Sequence, residues 1–118
     1  MLPPAQDLDH RRPVRDVLSD LFLDTEHSDA MRGGMARVLA ESPYSRDQLR
    51  TILHDEVYPI CKDNLLSMVG NWSGFDLAWL EARILARRRP PRHWPDWMSP
   101  LWRAVRDDAE ELFDRAGL

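Results

Sequence analysis

Residues 43–60, PYSRDQLRTILHDEVYPI, carry the strongest local folding signal in this chain of 118 residues. Ser45 and Gln48 stand at the spacing of a capping box, in which each side chain accepts a hydrogen bond from the other residue's backbone N–H. Tyr44 and Leu49 flank the cap at the spacing of a hydrophobic staple. Beyond the cap, apolar residues recur at helical spacing: Leu49, Ile52, Leu53, Val57 and Ile60. The stretch therefore predicts an amphipathic helix.

Pro59 lies inside this predicted helix. Proline has no N–H to donate, and its ring crowds the carbonyl four residues earlier, here that of Asp55. We therefore expect the third helix of the chain to be kinked or broken near Pro59. A helical continuation should follow towards Asn64.

Apolar residues at helical spacing also occur on both sides of this stretch. The patterns predict a first helix from about Pro13, a second capped by Ser28, a fourth capped by Asp76 and a fifth from Pro100 to Gly117. Their predicted buried residues include Val14, Leu18, Met31, Met35, Leu39, Leu77, Leu80, Ile84, Leu85, Trp102 and Phe113. No stretch alternates as a strand does, so we predict an all-α fold, a compact bundle of four to five short helices.

Glycines and prolines mark the weak points of this bundle. Gly33 and Gly34 fall inside the second helix, where each costs about 1 kcal/mol relative to Ala, and they would permit a close helix crossing. Residues 89–98 hold Pro90, Pro91 and Pro95, which exclude a continuous helix and indicate a connector. We divide the chain into a lead-in at 1–12 and a single helical domain at 13–118, with the last helix at 99–118.

Composition narrows the class of protein. Twenty acids against sixteen bases give a net charge of −4, whereas a nucleic-acid-binding domain is usually basic. Cys61 is the only cysteine, so the chain has no internal disulfide or cysteine-rich metal site, and a reducing cytoplasm is expected. No apolar run approaches the roughly 20 residues that span a bilayer, and the start lacks a signal peptide's apolar segment.

Several separated blocks of sequence resemble a family of small bacterial helical domains of unknown function. The blocks are LSDLFLDTE at residues 18–26, EVYP at 56–59, NLLS at 64–67 and GNWSGF at 70–75. The resemblance covers roughly residues 11–88, so we take 13–88 as the family-like core and leave the tail outside it. It implies a bacterial helical fold and no particular activity.

Acidic residues are the main candidates for a binding site. Asp16, Asp20 and Asp24 share one face of the first helix, near the C-terminal end where carboxylates oppose the helix dipole. These acids either bond to nearby backbone N–H groups and arginines of the chain itself or bind a basic partner. We predict a partner-binding surface formed by Asp20, Asp24, Glu26 and Asp29, with Asp55 and Glu56 as a second patch.

These features suggest a non-enzymatic binding protein, and specifically an immunity protein that neutralises a cognate bacterial toxin through an acidic surface. We predict no cofactor, no metal and no membrane partner, and the oligomeric state stays open. One alternative is a small metal-dependent enzyme that uses Asp24, His27, His54 and Glu56 as ligands. Another is a nucleic-acid-associated regulator that uses the arginines and tryptophans of residues 83–97, although the acidic remainder of the chain disfavours it.

Overall fold

A computed structural model describes residues 3–22, 28–64, 77–86 and 100–118 of the chain. Within these ranges every regular element is helical, which confirms the predicted all-α fold. The elements are a 3-10 turn (Pro4–Gln6), α1 (Leu8–Asp20), α2 (Asp29–Glu41), α3 (Arg46–Ile52), a π-helical turn (Leu53–Val57), α4 (Tyr58–Asn64), α5 (Leu77–Ala86) and α6 (Pro100–Arg115).

The capping box predicted at the start of α3 is confirmed. The backbone N–H of Gln48 donates to the hydroxyl of Ser45 over 3.2 Å, and the N–H of Ser45 donates to Oε1 of Gln48 over 2.8 Å. Tyr44 and Leu49, the predicted staple, are both buried. Local sequence therefore fixes where this helix begins.

The irregularity predicted near Pro59 takes the form of a π-helical turn between α3 and α4. The N–H of Tyr58 donates to the carbonyl of Leu53, five residues back instead of four. This wider turn gives the ring of Pro59 room near the carbonyl of Asp55, so that the chain continues as a helix. The joined pieces run from Arg46 to Asn64.

The start of α1 differs from the prediction, because the helix begins at Leu8 and contains Pro13 in its interior. Pro13 removes the hydrogen bond to the carbonyl of Asp9. The side chain of Asp9 is 97% exposed, so water can reach this side of the helix. Arg11, in the additional turn, is buried and bonded to the core, which stabilises the helix before the proline.

The second helix is capped as predicted, with the hydroxyl of Ser28 accepting from the N–H of Met31. Met31 itself is 54% exposed and not part of the core, contrary to the prediction. The predicted close crossing at the two glycines is also absent from the described residues. A Cβ atom built on Gly33 or Gly34 would meet no atom within 4 Å.

Replacement of Gly34 by alanine should therefore stabilise the domain. Alanine removes the backbone entropy cost of an exposed helical glycine and creates no clash, so we expect a gain of about 1 kcal/mol in the free energy of unfolding. Urea denaturation of Gly34→Ala against the wild type measures this gain. A loss of stability would mean that some other group occupies the space beside Gly34.

The remaining helices close one apolar core with α1 and α3. Leu80 and Ile84 of α5 are buried, but Leu77 and Leu85 are 40% and 41% exposed, so their predicted burial is wrong. The last helix begins at Pro100 as predicted and ends in a Schellman motif at Gly117, whose φ is +79°. In that motif the N–H of Leu118 donates to the carbonyl of Phe113 over 3.0 Å.

Other predictions fall on residues outside the described ranges. These are the cap at Asp76 and the connector at 89–98. Among the described helices, none has the length and apolar character needed to cross a membrane.

Candidate functional site

A buried ion triad joins α1 to the π-helical turn. Glu56 is 6% exposed and lies between Arg11 and Arg15, which are 1% and 2% exposed. Arg11 donates to Oε2 of Glu56 from Nη2 at 3.0 Å and from Nε at 3.2 Å. Arg15 donates to Oε1 from Nη2 at 3.0 Å and from Nε at 3.3 Å. Each carboxylate oxygen therefore accepts two hydrogen bonds from one guanidinium group.

The prediction of Glu56 in an exposed acidic patch is wrong for this reason. Glu56 stands seven residues after Leu49, on the apolar side of the joined helix, and the π-helical turn carries it into the core. The sequence of α1 contained a pattern that indicates a buried ion pair, and our prediction did not use it. Arg11, Val14, Arg15 and Leu18 are one helical stripe, so charges of opposite sign occupy buried positions on both helices.

Glu81 of α5 extends the triad towards the surface. Arg12 donates to its carboxylate from Nε at 2.9 Å and from Nη2 at 3.3 Å, and Arg15 contacts it at 3.5 Å. The hydrogen bond from Arg12 lowers the pKa of Glu81 below its usual value. Arg15 therefore links two carboxylates that lie on different helices.

Tyr44 and Asp7 complete the network on the other side of Arg11. The tyrosine hydroxyl donates a short hydrogen bond to Oδ2 of Asp7, and the guanidinium of Arg11 lies 5.2 Å from the ring centroid. Burial, and then the bond to Asp7, raises the pKa of Tyr44 to about 12. Hydrogen bonds from Tyr44 and His10 lower the pKa of Asp7.

Charges within this network balance. Three arginines (Arg11, Arg12 and Arg15) meet three acids (Asp7, Glu56 and Glu81), so the net charge of −4 belongs to the rest of the chain. Arg11 and Arg15 of α1 are buried against these acids, and Arg12 is bonded to Glu81 at the surface. Asp9 and Asp16 are spaced i, i+7 and are exposed on one side of the same helix, where Arg12 lies 3.9 Å from Asp9, and Asp20 follows one turn later.

The other predicted site residues that the structure describes, Asp20, Asp29 and Asp55, lie on different elements. Asp29 starts α2 and accepts from Nη2 of Arg115 at 2.9 Å, although its side chain is 91% exposed. Asp55 is 37% exposed and lies 2.7 Å from Nδ1 of His54. Asp20 is partly buried at the end of α1. Asp24 and Glu26 are outside the described residues.

Of the four ligands considered for a metal-dependent enzyme, the structure describes His54 and Glu56, whereas Asp24 and His27 lie outside the described residues. Both oxygens of Glu56 are bound to arginines, which removes it as a metal ligand. In the part of the chain that the structure describes, no three His, Cys, Asp or Glu side chains are grouped to hold a metal ion. His27 and the residues 87–99 of the Arg/Trp tail lie outside that part.

The only thiol of the chain, that of Cys61, is in an environment that makes it unreactive. Cys61 is completely buried in α4, and burial raises its pKa to about 12. A thiol rather than a thiolate is a poor nucleophile. Cys61 therefore acts as a small core residue.

A second, more exposed ion cluster joins α3 to α6. Glu110 accepts from Arg50 over 2.9 Å and from Arg46, and Arg46 also reaches Asp114 at 2.7 Å. The guanidinium of Arg46 lies 5.7 Å from the ring centroid of Phe113. Hydrogen bonds from Arg50 and then Arg46 lower the pKa of Glu110 to about 2.

Glu110→Gln should therefore destabilise the domain in a pH-dependent way. A lowered pKa contributes stability above the unfolded-state value near 4.5 and loses it as the pH falls towards 2. Solvent screens this partly exposed carboxylate, so we expect a difference of about 1 kcal/mol near neutral pH, constant down to about pH 5 and shrinking below it. Urea titrations at several pH values measure it.

Glu111→Gln is the matched control. Glu111 is the next residue of α6, is 60% exposed and lies 3.7 Å from Arg32. Its replacement should change the free energy of unfolding by less than about 0.5 kcal/mol. Equal effects of the two variants, or an effect of Glu110→Gln that grows with acid, would contradict the assignment.

Comparison with known families places most of the chain in one domain family. A family model described as Domain of unknown function (DUF7079) matches residues 9–115. No curated protein and no solved structure matches the chain. The matched range includes the connector and α6, which the resemblance noted from the sequence blocks had left outside.

Proposed function

Because the chain belongs to the family described as Domain of unknown function (DUF7079), whose description names no activity, we propose a function from the chemistry of its surface. The protein is a non-enzymatic binding protein of the bacterial cytoplasm. Its specific role is that of an immunity protein, which neutralises a cognate toxin by covering a basic cleft with an acidic surface.

The outward side of α1 is the observation that supports this proposal. The arginines of α1 are bonded to Glu56 and Glu81, whereas Asp9 and Asp16 are exposed, with Asp9 3.9 Å from Arg12. The carboxylate of Asp16 forms no ion pair with any residue that the structure describes. Arg11 and Arg15 are thus buried in ion pairs, and Arg12 is 53% exposed and shared between Glu81 and Asp9, so that Asp16 is the acid of this helix that remains exposed and, among the described residues, unpaired.

The surface extends along α1 from Asp9 and Asp16 to Asp20, and Asp24 and Glu26 continue it in the sequence. Toxins that act on nucleic acids or nucleotides carry basic clefts, and opposite charge accelerates association and favours the correct partner. The buried ion triad holds α1 in place, so that the acids are presented by a rigid scaffold. Glu56 is excluded from this surface, and Asp29 and Asp55 lie on other helices.

The direct test is protection in a co-expression assay. The toxin candidate is the product of the gene adjacent to this one, and a pull-down from the native strain provides an independent candidate. We expect the protein to restore growth and to bind the toxin with an affinity that decreases as salt increases. Absence of protection together with absence of a toxin-like partner would contradict the proposal.

Charge reversal locates the surface once a partner is available. Asp16→Lys and the double variant Asp24→Lys/Glu26→Lys should each weaken binding by about tenfold or more, mainly through slower association. Asp107→Lys is the control, because Asp107 is 74% exposed but lies on α6. If the control weakens binding as much as Asp16→Lys does, the contact surface is not on α1.

A further inference from the structure

A shallow groove runs between α2 and the end of α6. Its volume is about 530 Å³. It is lined by four small residues and three charged residues: Gly33, Ala36, Ala40 and Ala116, and Asp29, Arg37 and Arg115. The groove belongs neither to the buried ion triad nor to the acidic side of α1.

Two small residues, Gly33 and Ala40, occupy the middle of the groove side of α2. A Cβ atom on Gly33 would meet no other atom within 4 Å, so no part of the described structure requires a glycine there. Ala40 lies on the same side, seven residues later, and is exposed. Such a surface permits the backbone of another helix to approach closely.

We infer that this groove is the contact surface between two copies of the chain, in which α2 crosses its counterpart antiparallel at Gly33. A contact about a two-fold axis must be self-complementary, because each surface meets its own copy. Asp29 lies four residues before Gly33 and Arg37 four residues after it. In an antiparallel crossing at Gly33, each Asp29 therefore faces Arg37 of the second copy.

Both charged groups are available for this pairing. The side chain of Asp29 is 91% exposed even though one of its oxygens accepts from Arg115. Arg37 is exposed and forms no ion pair within the described ranges. Opposite charges at mirrored positions favour a second copy over an unrelated partner, whose charges would have no reason to follow this spacing.

The dimer should be reversible, because the small side chains that line the groove would bury little apolar area in the contact. We expect a dissociation constant in the micromolar range, with monomer dominating in dilute solution. Sedimentation velocity of the purified full chain at about 1 to 200 µM measures the monomer–dimer equilibrium directly. A monomer across this range would overturn the inference, whatever the outcome of the toxin-binding tests.

Two matched glycine variants test the contact surface. Gly33→Leu fills the groove and should weaken dimerisation by at least about tenfold. Gly34→Leu is the control, since Gly34 is equally exposed and uncontacted but points about 100° away around the helix. Equal dimerisation by Gly33→Leu and the wild type would overturn the inference. Circular dichroism confirms that both variants are folded.

A charge exchange tests the antiparallel register and does not rely on the glycine. Arg37→Asp places two acids opposite each other at both ends of the contact and should weaken the dimer by about tenfold or more. The double variant Asp29→Arg/Arg37→Asp exchanges the charges across the axis and should restore most of the affinity when both it and Arg37→Asp also carry Arg115→Ala, which removes the arginine bonded to Asp29. A double variant that is weaker than Arg37→Asp would overturn the proposed register.

Discussion

Glu56→Ala is expected to remove about 3–5 kcal/mol from the free energy of unfolding. Glu56 separates Arg11 and Arg15, both nearly completely buried, and accepts both guanidinium groups at 3.0 Å. Without the carboxylate, two like charges remain close together in the core. Typical domains have a free energy of unfolding of about 5–15 kcal/mol, so the expected loss is a large fraction of the stability of the protein.

Thermal and urea denaturation followed by circular dichroism measure this loss. Asp55→Ala is the matched control, because it removes a neighbouring carboxylate of the same π-helical turn that is 37% exposed and bonded to His54. The control should change stability by less than about 1 kcal/mol. Similar effects of the two variants would show that Glu56 is not the buried partner of the arginines.

Simultaneous replacement of the triad by apolar residues should reverse that loss. In the variant Arg11→Met/Arg15→Met/Glu56→Leu no charge is left unpaired at the centre, and the desolvation cost of three ions disappears. We expect a stability equal to the wild type or up to about 4 kcal/mol above it. The free energy of unfolding of the triple variant would then exceed that of Glu56→Ala by at least about 3 kcal/mol.

The outer members of the network make this outcome possible. Glu81 keeps Arg12 as a donor at 2.9 Å, and Asp7 keeps Tyr44, so neither acid loses all of its partners. Denaturation of the triple variant and of each single variant gives the coupling energy between the three positions. A triple variant as unstable as Glu56→Ala would mean that the ions are needed for packing and not only for their mutual charge.

Sequence reasoning predicted those parts of the fold that local chemistry determines. The capping box at Ser45 and Gln48, the cap at Ser28 and the start of α6 at Pro100 each depend on residues a few positions apart. The break near Pro59 was predicted for the same reason, but not its π-helical form. The π-helical turn places Glu56 against the arginines of α1, and this contact cannot be predicted from the residues near Pro59 alone.

The site was predicted less well because its contacts are distant in sequence. Arg11 and Glu56 are separated by 45 positions and Arg12 and Glu81 by 69. Glu56 was assigned to the surface because it is charged, although it falls on the apolar side of its helix. Periodicity was the better guide here, and charges on an apolar stripe should have been taken as candidates for buried pairs.

The π-helical turn makes the length of this helix as important as its composition. A π turn holds one residue more than an α-helical turn, and each residue rotates the chain by about 100°. Family members shorter by one residue between Leu53 and Val57 would keep α3 in place but turn Glu56 or the helix after it away from its neighbours. In an alignment, a gap at this point should therefore coincide with the loss of both buried arginines of α1.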